Sequence, residues 1–161
     1  MMHLVTKPDH KAVVTDWLAA RLGMRATEMV HTYDYEIMAC VRHKELIGAV
    51  LFIHHQGRNI EAHWAGDTGW LSRRHIKQIF AYPFEQLGCN RVTTLVPEDN
   101  EPARSVVERL GFVREGTLRE AGGEGDDLDI YGMLRSECRW LAPSARVRQG
   151  GHVGQEESAG A

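Results

Sequence analysis

The chain predicts an α+β fold: a central mixed, mostly antiparallel sheet with helices on both faces. Three observations carry this. Residues 35–42, 46–55 and 59–65 are strand-like runs, separated by the short turns His43-Lys44-Glu45 and Gln56-Gly57-Arg58, which makes an antiparallel meander. Leu71, Ile76, Ile79, Phe80, Phe84 and Leu87 then recur at helical spacing ahead of the β-branched run 91–96. That strand–helix–strand unit demands a parallel pair inside the sheet. The third observation is a closing pair of strands, one with Glu115, Gly116 and Arg119, the other through Asp129, Ile130 and Tyr131, joined by a Gly- and acid-rich turn.

The remaining elements follow in order. Residues 3–6 form a short first strand. Pro8-Asp9 starts a helix, Val13, Val14, Trp17, Leu18 and Leu22 carry its period, and Gly23 stops it. Residues 27–34 are a loop or a helical turn. Gly66-Asp67-Thr68-Gly69 ends the meander, Gly88 closes the helix after it, and Pro83 kinks that helix or ends its regular part. Asn100 opens a short amphipathic helix that Leu110-Gly111-Phe112 ends.

At 161 residues the chain suits one domain with a sizeable core, over residues 1–142. The Gly-, Ser- and Ala-rich stretch 143–161 has no apolar period and is expected to be a disordered tail. Hydrophobic and charged contents of 43% and 25% are those of ordinary globular proteins, and a net charge of -3 gives no pull toward nucleic acid. No apolar run approaches the ~20 residues of a membrane span. Residues 1–8 lack the build of a signal peptide. Cys40, Cys89 and Cys138 are widely spaced and form no CxxC, so reduced thiols in a cytoplasmic protein are expected, with no metal and no membrane partner.

The segment NEPARSVVERLGFVREGTLREAGGEGDDLDIYGM, from Asn100 to Met133, is the most specific part of the chain. Its spacing Asn100…Ala103…Leu110-Gly111-Phe112…Glu115-Gly116…Arg119 resembles the C-terminal half of the GNAT superfamily of N-acetyltransferases. The branch it resembles includes the N-terminal acetyltransferases of ribosomal proteins, and short phage and prophage members look similar too. The resemblance covers roughly residues 41–141. It implies a GNAT fold whose parallel pair is splayed, acetyl-CoA as cofactor, and a small-molecule or peptide amine as acceptor. Assembly as a homodimer is left open.

In such folds the fourth strand and the helix after it bind acetyl-CoA, with the pyrophosphate at the helix N-terminus, where unpaired N–H groups and the helix dipole favour an anion. The family's Gly-containing loop is absent here. The local sequence is Trp70-Leu71-Ser72-Arg73-Arg74, whose arginines and Ser could grip phosphates by side chain or could simply be solvated. Asn100 falls where the family's Asn caps the next helix and borders the pantetheine arm, with Ala103 and Arg104 in the same turn. A plain N-cap would satisfy Asn100 equally well.

Acetyl transfer needs a neutral amine and, less strictly, an acid for the leaving thiol. The family's usual Tyr acid falls at Val107, and the Ser used by the ribosomal branch falls at Ala103, so neither is present. Ser105 points away from that face, and Tyr131 is the weaker substitute. For the base, Glu61 and His63 share one face of the fourth strand. They form either a proton path or the solvent side of a half-exposed strand. Glu120, Glu124, Asp126 and Asp127 would favour a cationic amine entering between that turn and residues 27–34, or are an ordinary exposed turn. Glu115, Arg119 and Asp129 are explained without catalysis by an ion pair that locks the hairpin. Trp64 and Trp70 flank the expected cleft. The missing Gly loop and missing acids also suit a non-catalytic acyl-CoA-binding or protein-interaction module, and because fold does not fix function a third reading is a phage-type assembly or host-modifying protein.

Overall fold

Alternation along the third and fourth strands sets the two faces of the sheet. The computed structural model describes residues 1–29 and 34–143. Its strands are β1 (Met2–Leu4), β2 (Glu36–Arg42), β3 (Glu45–Ile53), β4 (Asn59–Gly66), β5 (Arg91–Pro97), β6 (Val113–Gly123) and β7 (Asp126–Leu134). They form one sheet in the order β1-β2-β3-β4-β5-β7-β6, antiparallel except for β4 and β5. The helices are α1 (Pro8–Arg21), α2 (Ala26–Met29), α3 (Arg73–Ala81) and α4 (Glu101–Leu110).

On one face Ala49, Leu51 and Ile53 of β3 pack with Val14 and Leu18 of α1 and Met29 of α2. On the other, Val50 and Phe52 join Ile60 and Ala62 of β4, Ile76, Ile79 and Phe80 of α3, and Val107 and Leu110 of α4. Helices thus cover both faces. The hairpin between β2 and β3 is tighter than the spacing predicts: β3 already starts at Glu45, and His43 and Lys44 make the turn with φ of 51° and 67°. Two left-handed central residues match the strand twist, a geometry usually left to Asn and Gly. The first strand sits one to two residues earlier than expected.

Pro83 ends the regular part of the helix, as its chemistry predicts: α3 closes at Ala81. The chain passes into a single wide turn over Tyr82–Gln86, where Leu87 N–H donates to Tyr82 C=O at 3.0 Å. Proline has no N–H to donate back into the helix, and a widened turn accommodates that loss. Phe84 stays buried there and stacks on Phe80 with ring centroids 6.2 Å apart. Helix α4 ends at Gly111, whose φ of 109° suits only glycine. Side chains from beyond β7 then reach its last carbonyls: Trp140 Nε1 donates to Leu110 C=O at 2.8 Å, and Arg139 donates to Arg109 C=O. Residues 144–161, expected to be a tail, and residues 30–33 of the expected loop lie outside the described residues.

Trp70 is seated on two paired glycines, Gly48 of β3 and Gly66 of β4. A methyl group built on either would overlap its indole ring. Gly48→Ala should therefore expel the ring and cost about 1–3 kcal/mol, the range for overpacking. Gly116→Ala, where a methyl meets nothing within 4 Å, should stay within about 0.5 kcal/mol. Urea unfolding of both variants checks this, and equal stabilities would mean that the ring has other room.

Candidate active site

The parallel pairing of β4 and β5 lasts only three residues: Asn59↔Arg91, Ile60↔Val92 and Glu61↔Thr93. Beyond that β4 follows β3 to Gly66, while β5 follows β7 to Pro97. The two strands part, and a cavity of about 390 Å³ opens between them. Its walls are residues 63–66 of β4 and 94–97 of β5, with Asn100, Ala103, Val106 and Val107 of α4 on one side and Arg21 and Leu22 from the end of α1 on the other. A second hollow of about 700 Å³ shares Gly66, Trp70, Leu71, Pro102 and Val106 with it and adds Arg109 and Trp140.

Of the residues proposed from the sequence, His63, Trp70, Leu71, Asn100 and Ala103 line the first cavity. Asn100 also caps α4, its Oδ1 accepting from Ala103 N–H at 3.2 Å. Ser72 caps α3, its Oγ accepting from His75 N–H at 3.2 Å, so α3 starts at Arg73. Arg73 and Arg74 are exposed and border neither cavity; Arg74 lines a separate hollow with Met1 and Met2. Glu61 lies at the last paired position of β4, one step outside the cavity, with its Oε1 2.6 Å from His63 Nε2. Burial pushes the Glu61 carboxyl up, but hydrogen bonds from His63 and His54 outweigh it and hold the group below its usual range.

Tyr131 and Arg104 are drawn elsewhere. Tyr131 is fully buried and its hydroxyl donates to Glu108 at 2.9 Å. Arg104 donates to that same hydroxyl at 3.5 Å and to Glu98 C=O at 3.2 Å. Neither lines the cavity. The hairpin ion pairs also differ from the expected set. Glu115 takes both guanidinium nitrogens of Arg91 in β5, and Asp129 binds Arg114 at 2.9 Å and Thr117 at 2.7 Å; Arg119 is in neither pair. Strand β6 carries a register shift between Arg114 and Gly116, which brings Arg114, rather than Arg119, beside Asp129.

The sequence reading missed Arg21, Pro102, Val106, Arg109 and Trp140. Arg21 stacks on Trp17, 4.1 Å from its ring centroid, and binds Asp67 at 2.6 Å, which ties the end of α1 to the loop after β4. A cation at a helix C-terminus that meets an acid in a loop three strands later is no signal along the chain.

Asp129 gives a pH test of the hairpin. The Arg114 guanidinium holds its carboxyl below the usual carboxylate range, against the opposing effect of burial. A depressed carboxyl stabilises the fold above the unfolded pKa of about 3.9 and loses that contribution as pH falls below it. Asp129→Asn should thus melt lower than the unsubstituted chain at pH 7, and the gap should close below about pH 4. A gap constant from pH 7 to pH 3 would exclude the ion pair as its origin.

No family model matches the chain. Over 64 residues it is 38% identical to YdaF of Bacillus subtilis, a protein named as a candidate ribosomal N-acetyltransferase, covering 38% of this chain and 35% of that one. Over 104 residues it is 30% identical to the N-acetyltransferase YoaA of the same organism, covering 57% of each. The chain thus spans between a third and just over half of the length of the curated relatives it matches. Among solved structures, a variant of spermidine N-acetyltransferase SpeG from Vibrio cholerae superposes with a TM-score of 0.66 at 19% identity, over 88% of this chain and 97% of that one. A dodecameric spermidine N-acetyltransferase of the same organism gives 0.63 at 20% identity, over 84% and 94%. The chain has the GNAT acetyltransferase fold, and the curated relatives it is similar to are N-acetyltransferases.

Proposed function

We propose that the chain transfers an acetyl group from acetyl-CoA to a primary amine of a small molecule or a protein. The parting of β4 and β5 is the observation that carries this. Two strands that separate inside a sheet leave backbone N–H and C=O groups without ladder partners, and those groups need another partner. An extended chain with amide groups, such as a pantetheine arm, suits that opening. The residues present fit such an arm: the cavity is narrow, Ala103 is small, and Val106, Val107 and Trp70 give apolar walls. At its outer end α3 starts with unpaired N–H groups, the chemistry that holds a pyrophosphate. Trp70, Leu71, Ser72, Arg73 and Arg74 are proposed for that end, and Asn100, Ala103 and Arg104 for the α4 side.

Acetyl-CoA supplies an activated acyl group. An ammonium acceptor gives an amide, a free thiol and one released proton, so the chain must take that proton from the amine. His63 lines the cavity and is bonded to Glu61 just outside it, which makes a titratable carboxylate–imidazole pair. A purely binding module has no use for a carboxylate–imidazole pair at that point, and this disfavours the non-catalytic reading. The similarity to spermidine and ribosomal N-acetyltransferases supports a small or terminal amine that bears positive charge.

Calorimetry with acetyl-CoA tests the cofactor site. Ala103→Leu should fill the cavity and weaken binding at least tenfold, or about 1.4 kcal/mol. Arg73→Ala should cost roughly 1.5–3 kcal/mol if it holds a phosphate. Arg74→Ala should cost less, since its side chain borders the hollow beside Met1 and Met2. Full affinity in Ala103→Leu would place the cofactor elsewhere.

The acidic hairpin tests the acceptor class. Asp127 is partly committed, its Oδ1 accepting from Glu120 N–H at 2.8 Å, whereas Glu124 and Asp126 are exposed at the tip. Part of the opposite wall proposed for the acceptor, residues 30–33, lies outside the described residues. KM for a cationic amine should rise with salt, as screening shortens from about 10 Å at 0.1 M to about 3 Å at 1 M. Glu124→Lys with Asp126→Lys should raise it further. A KM indifferent to both changes would leave the tip as a solvated turn.

A further inference from the structure

Glu61 is engaged on both oxygens. Its Oε1 lies 2.6 Å from His63 Nε2 and its Oε2 lies 3.0 Å from His54 Nδ1. The three side chains are graded in exposure: His63 and Glu61 are each 19% exposed, and His54 is 65% exposed. His63 lines the cavity, and neither Glu61 nor His54 does. Set outside the cavity and hydrogen-bonded to an imidazole at each oxygen, the carboxylate is poorly placed to take the proton itself.

We infer that His63 is the group that accepts the amine's proton, that Glu61 is a positioning residue holding His63 with its Nε2–H toward the carboxylate, and that His54 positions Glu61. The inference rests on the proposed acetyl transfer and divides its roles. With Nε2 committed to Glu61, Nδ1 is the accepting nitrogen. The ammonium N–H bond breaks, its electron pair stays on the amine nitrogen, and an N–H bond forms at His63 Nδ1. The resulting imidazolium is stabilised by Glu61 and later returns the proton to water.

The backbone at residue 54 supports a built arrangement. His54 follows the last residue of β3 and has a φ of 53°, a left-handed conformation uncommon outside glycine. Had β3 continued extended, residue 54 would face away from Ile53, whose register partner is Glu61. The left-handed residue breaks that alternation and brings the ring onto the Glu61 side. Such conformations persist where surrounding contacts hold them, and they gather at functional sites. The depressed carboxyl of Glu61 fits an anion shared by two imidazoles. Among the described residues no three His, Cys, Asp or Glu side chains are arranged to hold a metal ion, so the cluster is a hydrogen-bonded chain rather than a metal centre.

Among the described residues, two nearby cations are committed to carboxylates. Arg21, from the end of α1, binds Asp67, and Arg91 of β5 binds Glu115. His55 is the next residue after His54. These groups stay unchanged in the variants below.

Histidine side-chain NMR on the free protein, titrated from pH 5 to 9, reads the arrangement without turnover. Neutral His63 should be the Nε2–H tautomer. In Glu61→Gln the Nδ1–H tautomer of His63 should gain population, since the carboxylate that holds Nε2–H is gone. In His54→Gln the Nδ1–H tautomer of His63 should gain population. Acetyl-CoA turnover with spermidine as the probe amine supplies the second arm. His63→Gln should lose at least tenfold in kcat with little change in KM. An unaltered His63 tautomer in Glu61→Gln would overturn the inference, even with activity intact. A wild-type protein that releases no CoA with any amine of a panel would instead overturn the proposed acetyl transfer.

Discussion

The departure of β5 from β4 after three paired residues is the constraint on which the rest of the molecule turns. Each strand keeps a full antiparallel partner on its other side, β3 for β4 and β7 for β5. The sheet can therefore open in its middle without losing its ladders at the edges. Aromatic residues pack beneath the opening: Trp64 of β4 meets Phe112 edge-on at 5.5 Å, and Phe112 packs on Phe80 of α3 at 5.9 Å between centroids.

Trp70 does comparable work at the outer end. Its ring is 5% exposed and lies on Gly48 and Gly66, so the loop after β4 is held against the sheet and not left over solvent. Arg21 bridges from α1 to Asp67 in that same loop. The loop therefore presents Leu71 and the start of α3 to the cavity from a fixed position. The helix then needs length enough to recross the sheet, and the wide turn at Pro83 lets it continue and keep Phe84 in the core.

Charge is arranged by the same framework. The C-terminal strands are tied by Arg91–Glu115 and Arg114–Asp129, and those pairs leave the acidic tip at Glu124 and Asp126 free of the hairpin's own ion pairs. The strand register puts Glu61 at the last parallel pair and His63 two residues further on the same strand face, past the point where pairing ends. The break in pairing thus coincides with the change from a structural to a cavity-facing side chain.

The sequence by itself determined the mixed sheet, the order of its elements, the cap at Asn100, and the shared face of Glu61 and His63. These depend on local rules: period two in strands, 3.6 in helices, and the chemistry of capping and turn residues. It also determined the resemblance carried by the segment from Asn100 to Met133, because that spacing lies within one continuous stretch. Only the tertiary structure decided which residues meet across the sheet. Tyr131 sits one residue beyond the Ile130 expected in the same strand, yet it is enclosed by Arg104 and Glu108 of α4 and cannot reach the cavity. Asp129 takes Arg114, not Arg119, because of a register shift that no periodicity foretells. His54 reaches Glu61 only through one left-handed residue, whereas strand alternation would have sent it to the other face. Such contacts arise from long-range register, backbone exceptions and the packing of distant segments, and a linear pattern carries no record of them.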